Sequence, residues 1–255
     1  MTCAGRGCRI CCPDMRVAFI FIAILISAAS LSARPGGAKV WRILDDYAQN
    51  YGAGRTAKEM STVLIEGTQI QGEQTFDFSM RKKRPNSIRY QMSSGANSMM
   101  YGFNGRIGWQ RIERDGSVRI DTIEGEALSV LKEEAEFDGP LLSYLHDGSG
   151  EVEFAGMDRV LDQAVFVLNA TSSSGRKSRY YIAEGSSYLL KCEWLADDGT
   201  VSVWTVYSDY KLVDGYPFAH VVETYCGNEK LSRVEIQNIK INPGVLSFYF
   251  EKPRN

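Results

Sequence analysis

The sequence predicts a mainly β protein of α+β character: a curled antiparallel sheet, or unclosed β-barrel, of about eleven or twelve strands with a helical lid. Three observations predict it. Apolar and polar residues alternate through Phe76, Phe78 and Met80, and again through Ile88, Tyr90 and Met92; period two marks strands with one dry and one wet face. Asn104-Gly105, Asp115-Gly116 and Asp198-Gly199 are hairpin pairs that join neighbouring strands tightly. Helical periodicity falls at the start of the chain and in its middle. A strongly twisted sheet of so many strands curls or closes rather than staying open, and its apolar concave face must be covered.

The first element is an export signal. Arg16 precedes the apolar run from Val17 to Ala29, and Leu31-Ser32-Ala33 follows with a small residue at the expected cut. Positive residue, short apolar core and small residue form a secretory pattern, and the run is shorter than the ~20 residues of a membrane span. Met15 offers a second start of ordinary signal-peptide form. The expected division is 1–33 as N-terminal extension and cleaved signal, with cleavage after Ala33, and 34–255 as a single domain, which is long enough for one good core.

Residues 39–51 read as an amphipathic helix, with Val40, Leu44 and Tyr47 at helical spacing and Gly52 and Gly54 ending it. Strands are expected from 62–70 onward, including 98–103, 106–112 and 117–122. The segment 126–135 reads as helix, with Ala127, Val130 and Leu131 on one side, and Pro140 opens a second short helix that ends at Gly148. Strands resume at 151–155, 163–170, 177–183, 187–196, 200–210, 217–226 and 230–241, with a last one near 245–250. Sequential strands on short turns pair with their neighbours.

Cysteine and charge narrow the chemistry. Cys3, Cys8, Cys11 and Cys12 lie before the apolar run; Cys8-x-x-Cys11 has half of a zinc-site spacing and no second ligand pair nearby. Cys192 and Cys226 remain in the mature part. The expected strand between them separates them by ~9.6 Å, beyond the ~7 Å a disulfide spans, so the strand reading argues against a bridge. Without Arg6, Arg9, Arg16 and Asp14 the net charge moves from −2 to −4, which argues against a nucleic-acid partner. The run Arg81-Lys82-Lys83-Arg84 before Pro85 reads as a solvated hairpin end, and Glu133-Glu134 as a solvated helix face.

Catalytic patterns do not emerge. The two histidines, His146 and His220, have no nucleophile in their sequence context, and there is no G-x-S-x-G, P-loop or H-E-x-x-H. The chain is therefore read as a non-enzyme with no cofactor and no metal. What remains is the apolar sheet face. Phe76, Phe78, Met80, Ile88, Tyr90 and Met92 are candidates to line it, together with Trp109. Methionine suits adaptable binding surfaces, and small barrels hold single ligands; a dry core fits these cues equally well.

A series of motifs then resembles one family. The first helix ends in Tyr51-Gly52-Ala53-Gly54, and Lys83-Arg84-Pro85-Asn86 follows with Arg89. Next come Tyr101-Gly102-Phe103-Asn104-Gly105 with Gly108-Trp109, and then Phe137-Asp138-Gly139-Pro140-Leu141. Gly150-Glu151-Val152, Tyr180-Tyr181-Ile182, Asp209-Tyr210 and Asn242-Pro243 complete the order. Over about 38–253 the chain resembles the outer-membrane lipoprotein-sorting family, the LolA/LolB-like carriers, in its uncharacterised branch. The resemblance implies an unclosed barrel with an apolar cavity and periplasmic residence. It implies acyl chains of lipoproteins or free lipid as ligand, passed from an inner-membrane donor toward an outer-membrane receptor by a monomer. The lid would be Val40, Leu44 and Tyr47 of the first helix with Leu141, Leu142 and Leu145 of the inserted one. Two other readings use the same fold: an envelope sensor or adaptor that does not transport, and a structural protein with a filled core.

Overall fold

The computed structural model describes residues 37–50, 60–137, 141, 150–172 and 175–254. The segment expected to be an export signal, Cys3, Cys8, Cys11 and Cys12, Gly52 and Gly54, and Pro140, Leu142, Leu145 and His146 of the segment expected to be a second inserted helix lie outside the described residues. Among the described residues no helix is long and apolar enough to cross a membrane.

Helix α1 (Gly37–Asn50) leads into β1 (Thr62–Gln71), β2 (Gln74–Lys83), β3 (Ser87–Ser94), β4 (Asn97–Asn104), β5 (Gly108–Arg114) and β6 (Ser117–Ile123). Helix α2 (Gly125–Ala135) follows. The chain then resumes with β7 (Glu151–Val160), β8 (Gln163–Thr171), β9 (Lys177–Ala183), β10 (Leu189–Leu195), β11 (Val201–Val213), β12 (Tyr216–Cys226) and β13 (Glu229–Ile241). All 13 strands form one sheet in the order β6-β5-β4-β3-β2-β1-β13-β12-β11-β10-β9-β8-β7. Every ladder is antiparallel. The two runs of hairpins join where β1 meets β13, and among the described residues β6 and β7 pair with no further strand, so the barrel is unclosed. The turns follow the residues that make them: Asp115 and Gly116 both take positive φ, 50° and 76°, as the tight β5–β6 hairpin requires.

The two faces differ sharply. The concave face carries the core, from Val63 and Ile65 of β1 through Phe78, Met80, Tyr101 and Phe103 on one flank and Val234, Val222, Tyr207 and Leu168 on the other. Helix α1 presses Val40, Ile43, Leu44, Tyr47 and Ala48 into it, and α2 adds Leu131 and Ala135. The convex face mixes ion pairs with apolar contacts: Glu223 accepts from Lys230 at 2.5 Å and Arg233 at 2.9 Å, Glu193 from Lys191 at 2.6 Å and Arg179 at 3.2 Å, Trp204 stacks on Tyr225 at 4.0 Å, and Val165, Val167, Tyr181, Ala183 and Leu190 form a smaller buried cluster. The flanks meet at a bulge between Glu66 and Gly67. A Cβ on Gly67 would stand 2.1 Å from the Glu235 carbonyl oxygen, so this seam admits only glycine.

Three expectations are corrected. The segment near 245–250 is a 3₁₀ turn, Ser247–Phe250, and not a strand. Its neighbour in sequence, β13, already pairs with β12 and β1, so no edge is open to it; the segment crosses the convex backs of β3 and β4 instead. The basic run is not a solvated hairpin end. Lys82 is buried and donates to the Glu136 carbonyl at 2.6 Å, Lys83 to Ser247 at 2.9 Å and Arg84 to the Met60 carbonyl at 2.8 Å, while Arg81 bonds the Tyr249 hydroxyl. Glu134 is not solvated either: it follows Leu131 by three residues on the buried stripe of α2 and is 6% exposed. Cys192 on β10 is a free thiol, and β11 lies between it and Cys226 on β12.

Candidate functional site

The candidate site is the concave wall built by β1 to β4 and roofed by α2. Residues directly opposite in an antiparallel ladder share a face, so the register assigns each side chain. Phe76 is opposite Gln69, Phe78 opposite Gly67 and Met92, Met80 opposite Ile65 and Tyr90, and Lys82 opposite Ile88. Phe76, Phe78, Met80, Ile88, Tyr90 and Met92 therefore stand on one wall. Phe78 and Tyr90 stack with centroids 5.8 Å apart. β4 extends the wall with Met99, Tyr101 and Phe103, three residues that the sequence reading did not select although they alternate in the same way. Phe76, Tyr90 and Met99 are only partly buried, and Phe76 and Met99 lie toward the β1–β2 and β3–β4 hairpins. Phe103 and Ile123 lie at the other end, beneath Leu131 of α2.

Trp109 does not belong to this wall. It is opposite Gly102, which is opposite Arg89, and that row is convex. The indole fills the place where Gly102 has no side chain, 2.3 Å from a Cβ built there, and its Nε1 donates to the Phe250 carbonyl at 2.8 Å. Arg89 lies 4.3 Å from the Tyr249 ring centroid and donates to its carbonyl at 3.1 Å. Trp109 thus anchors the C-terminal segment. Trp109→Phe removes one hydrogen bond of this anchor; the expected loss is ~1 kcal/mol in a urea titration, with uptake of an apolar dye unchanged. A lost dye signal at full stability would return Trp109 to the inner wall.

Of the lid residues, Val40, Leu44 and Tyr47 are buried on α1, and Leu141 is buried. Lys39 of α1 places its ammonium 3.5 Å from the Phe154 ring centroid, and Asn50 donates to the Ser186 carbonyl at 2.6 Å, so α1 is tied across the flank of β7 to β10.

The wall also holds polar groups. Gln69 is fully buried, and its Oε1 accepts from the Tyr90 hydroxyl. Glu134 faces the same interior, and one of its carboxyl oxygens has no hydrogen-bond partner among the described residues. Burial pushes its pKa up to about 8; Lys82 and Arg176 pull it down, and Glu133 pushes it up. The carboxyl is therefore mostly protonated at neutral pH. Burial, with Glu134 adding to it, holds the Tyr90 hydroxyl well above the ordinary phenol range, and burial raises the Cys192 thiol likewise. The raised values keep the Tyr90 hydroxyl and the Cys192 thiol in their protonated, weakly nucleophilic forms. His220 is half-buried on β12, with Nδ1 3.0 Å from the Ile236 carbonyl oxygen. No group of three His, Cys, Asp or Glu among the described residues is placed to hold a metal.

No protein-family model matches the chain, and no curated protein matches it. Solved structures do. A DUF1329 family protein from Desulfovibrio piger superposes with a TM-score of 0.61 at 10% identity, over 86% of this chain and 98% of that one. A domain assigned to outer membrane lipoprotein sorting in Vibrio parahaemolyticus gives 0.59 at 13%, over 85% and 96%. A LolA superfamily protein from Nitrosomonas europaea gives 0.58 at 11%, over 84% and 97%. The chain has the LolA-like fold.

Proposed function

We propose that this LolA-like chain is a periplasmic carrier that shields the acyl chains of a lipoprotein or lipid against its concave wall and delivers them toward the outer membrane. The observation that carries the reading is the wall itself: a continuous row of methionine and aromatic side chains, partly accessible at its hairpin end, inside a sheet whose edges stay apart. Each CH₂ that leaves water for such a wall is worth ~0.8 kcal/mol, so one acyl chain supplies useful affinity without any directed bond. Methionine adapts to chains of different length and bend. Export with cleavage after Ala33 would place the mature chain, 34–255, between the membranes, where an acylated cargo needs a shield. A donor at the inner membrane and a receptor at the outer membrane complete the reading, and the carrier acts as a monomer.

The test is to express the full chain with export intact, purify it without detergent and record a native mass spectrum with lipid extraction. A co-purifying acyl species, or uptake of an added phospholipid or lipopeptide, is the expected result. A mass that stays ligand-free after both challenges overturns the carrier reading.

A further inference from the structure

The concave wall holds polar atoms that an apolar core leaves no partner for. The Oε1 of Gln69 is taken by Tyr90, but its Nε2 is buried and has no hydrogen-bond partner among the described residues. Two residues along the same strand, hence on the same face, the Nε2 of Gln71 is also buried and unpaired. Val234 of β13 stands opposite Gln69, so Ser232, two residues before it, shares this face beside Gln71. Ser232 is 1% exposed, and its hydroxyl is unpaired as well. Thr224 stands opposite Ser232 and Thr205 opposite Thr224, with these two hydroxyls 3.2 Å apart. A polar row therefore crosses the wall at the β1–β13 seam.

Unpaired buried polar atoms are few in native proteins, and each asks for an explanation. Here three occur together on two paired strands. Each is neutral: two are amide donors and one is a hydroxyl that can also donate. Such a set supplies no charge to offset a desolvated phosphate or carboxylate, and a hydrocarbon would leave it unpaired. It suits a carbonyl oxygen. Its depth fits too, because Gln71 and Gln69 are nearest the β1–β2 hairpin and Phe78 and Met80 lie farther in. We propose that Gln69, Gln71 and Ser232 form a polar subsite that hydrogen-bonds the ester or amide carbonyl joining an acyl chain to its head, while the tail runs inward along Phe78, Met80 and Met92. This rests on the carrier reading and narrows it to acyl-linked ligands over plain hydrocarbon or ether-linked ones.

The test compares two probes with the same hexadecyl-length tails: dipalmitoyl phosphatidylglycerol, with two ester carbonyls, and its dialkyl ether analogue, with none. Binding to the delipidated mature protein is measured by native mass spectrometry titration. The expected preference for the ester is about tenfold, equivalent to ~1.4 kcal/mol. In the Gln69→Met, Tyr90→Phe double variant, which removes both partners of the existing bond at similar volume, the ratio falls toward one. Ser232→Ala is a second variant with the same direction of change and little demand on folding. Equal binding of the two probes by the native chain overturns the subsite and leaves the carrier reading standing. Binding of neither probe, and of no added diacylated lipopeptide, overturns both. A preference that survives in Ser232→Ala and in the double variant places the carbonyl elsewhere and overturns the assignment.

Discussion

Phe78→Asp abolishes acyl-chain uptake. Phe78 is 3% exposed, central on the wall, stacked on Tyr90 and opposite Gly67 and Met92. An aspartate there removes the largest apolar surface in the middle of the row and puts a carboxyl where a tail would lie. Losing a buried phenylalanine costs ~3–5 kcal/mol, and the desolvated carboxyl adds to it, so stability falls together with binding. Circular dichroism establishes whether the variant is folded. Should it not fold, Phe76→Asp asks the same question at a more tolerant position, because Phe76 is only partly buried at the hairpin end. A folded variant of either kind that takes up dipalmitoyl phosphatidylglycerol like the native chain removes the concave wall as the binding site.

The second large effect is a loss of stability as pH rises from about 5 to 9, carried by Glu134. Its carboxyl is raised from the ordinary glutamate value of 4.5 to about 8 in the folded chain. The native state then holds a proton that the unfolded state has released. A raised carboxyl stabilises fully below the unfolded value and loses that contribution as pH climbs through the folded one. The shift corresponds to several kcal/mol, on the order of 5. Glu134→Gln keeps the shape and removes the titration. Urea midpoints at pH 5 and pH 9 should converge for the variant and separate for the native chain, with the variant the more stable at the higher pH. Equal separation in both proteins would mean that Glu134 is not the group responsible. The carboxylates with lowered pKa do not interfere. Glu223, which burial pushes up but Lys230 and Arg233 more than pull back, changes charge below this window.

The sheet was legible because its signals are local. Alternation set the strands, Gly-containing pairs set the turns, and neighbour pairing then orders most of the sheet without further information. What failed depends on contacts distant in sequence. In β5 and just before it, apolar side chains occur at both parities, Ile107 and Trp109 against Ile112, so alternation alone could not choose a face for Trp109. The glycine at 102 was the available clue, since it leaves a gap on the face opposite Tyr101 and Phe103. The arginines and lysines of 81–84 look solvated in sequence because their partners, Tyr249, Glu136 and Met60, are up to 168 residues away. Glu134 was more legible than the reading allowed: spacing of three from Leu131 and seven from Ala127 puts it on the buried stripe, and its charge argued wrongly against that phase. Gln69, ending an apolar strand beside a hairpin, carried no signal that its amide turns inward.

The C-terminal segment runs over the back of one flank and is fastened along the way: Tyr249 to Arg81 and Arg89, Phe250 to Trp109, Glu251 to Asn104 at 2.8 Å and Lys252 to Thr122 at 3.0 Å. Those anchor points lie on five successive strands, β2 to β6. In mechanical terms it is a strap bolted to a bent plate. Any change of curvature alters the spacing between the bolts, so the strapped half resists bending. Under the carrier reading, the wall of Phe78 and Met80 would act as the fixed jaw against which a guest is gauged.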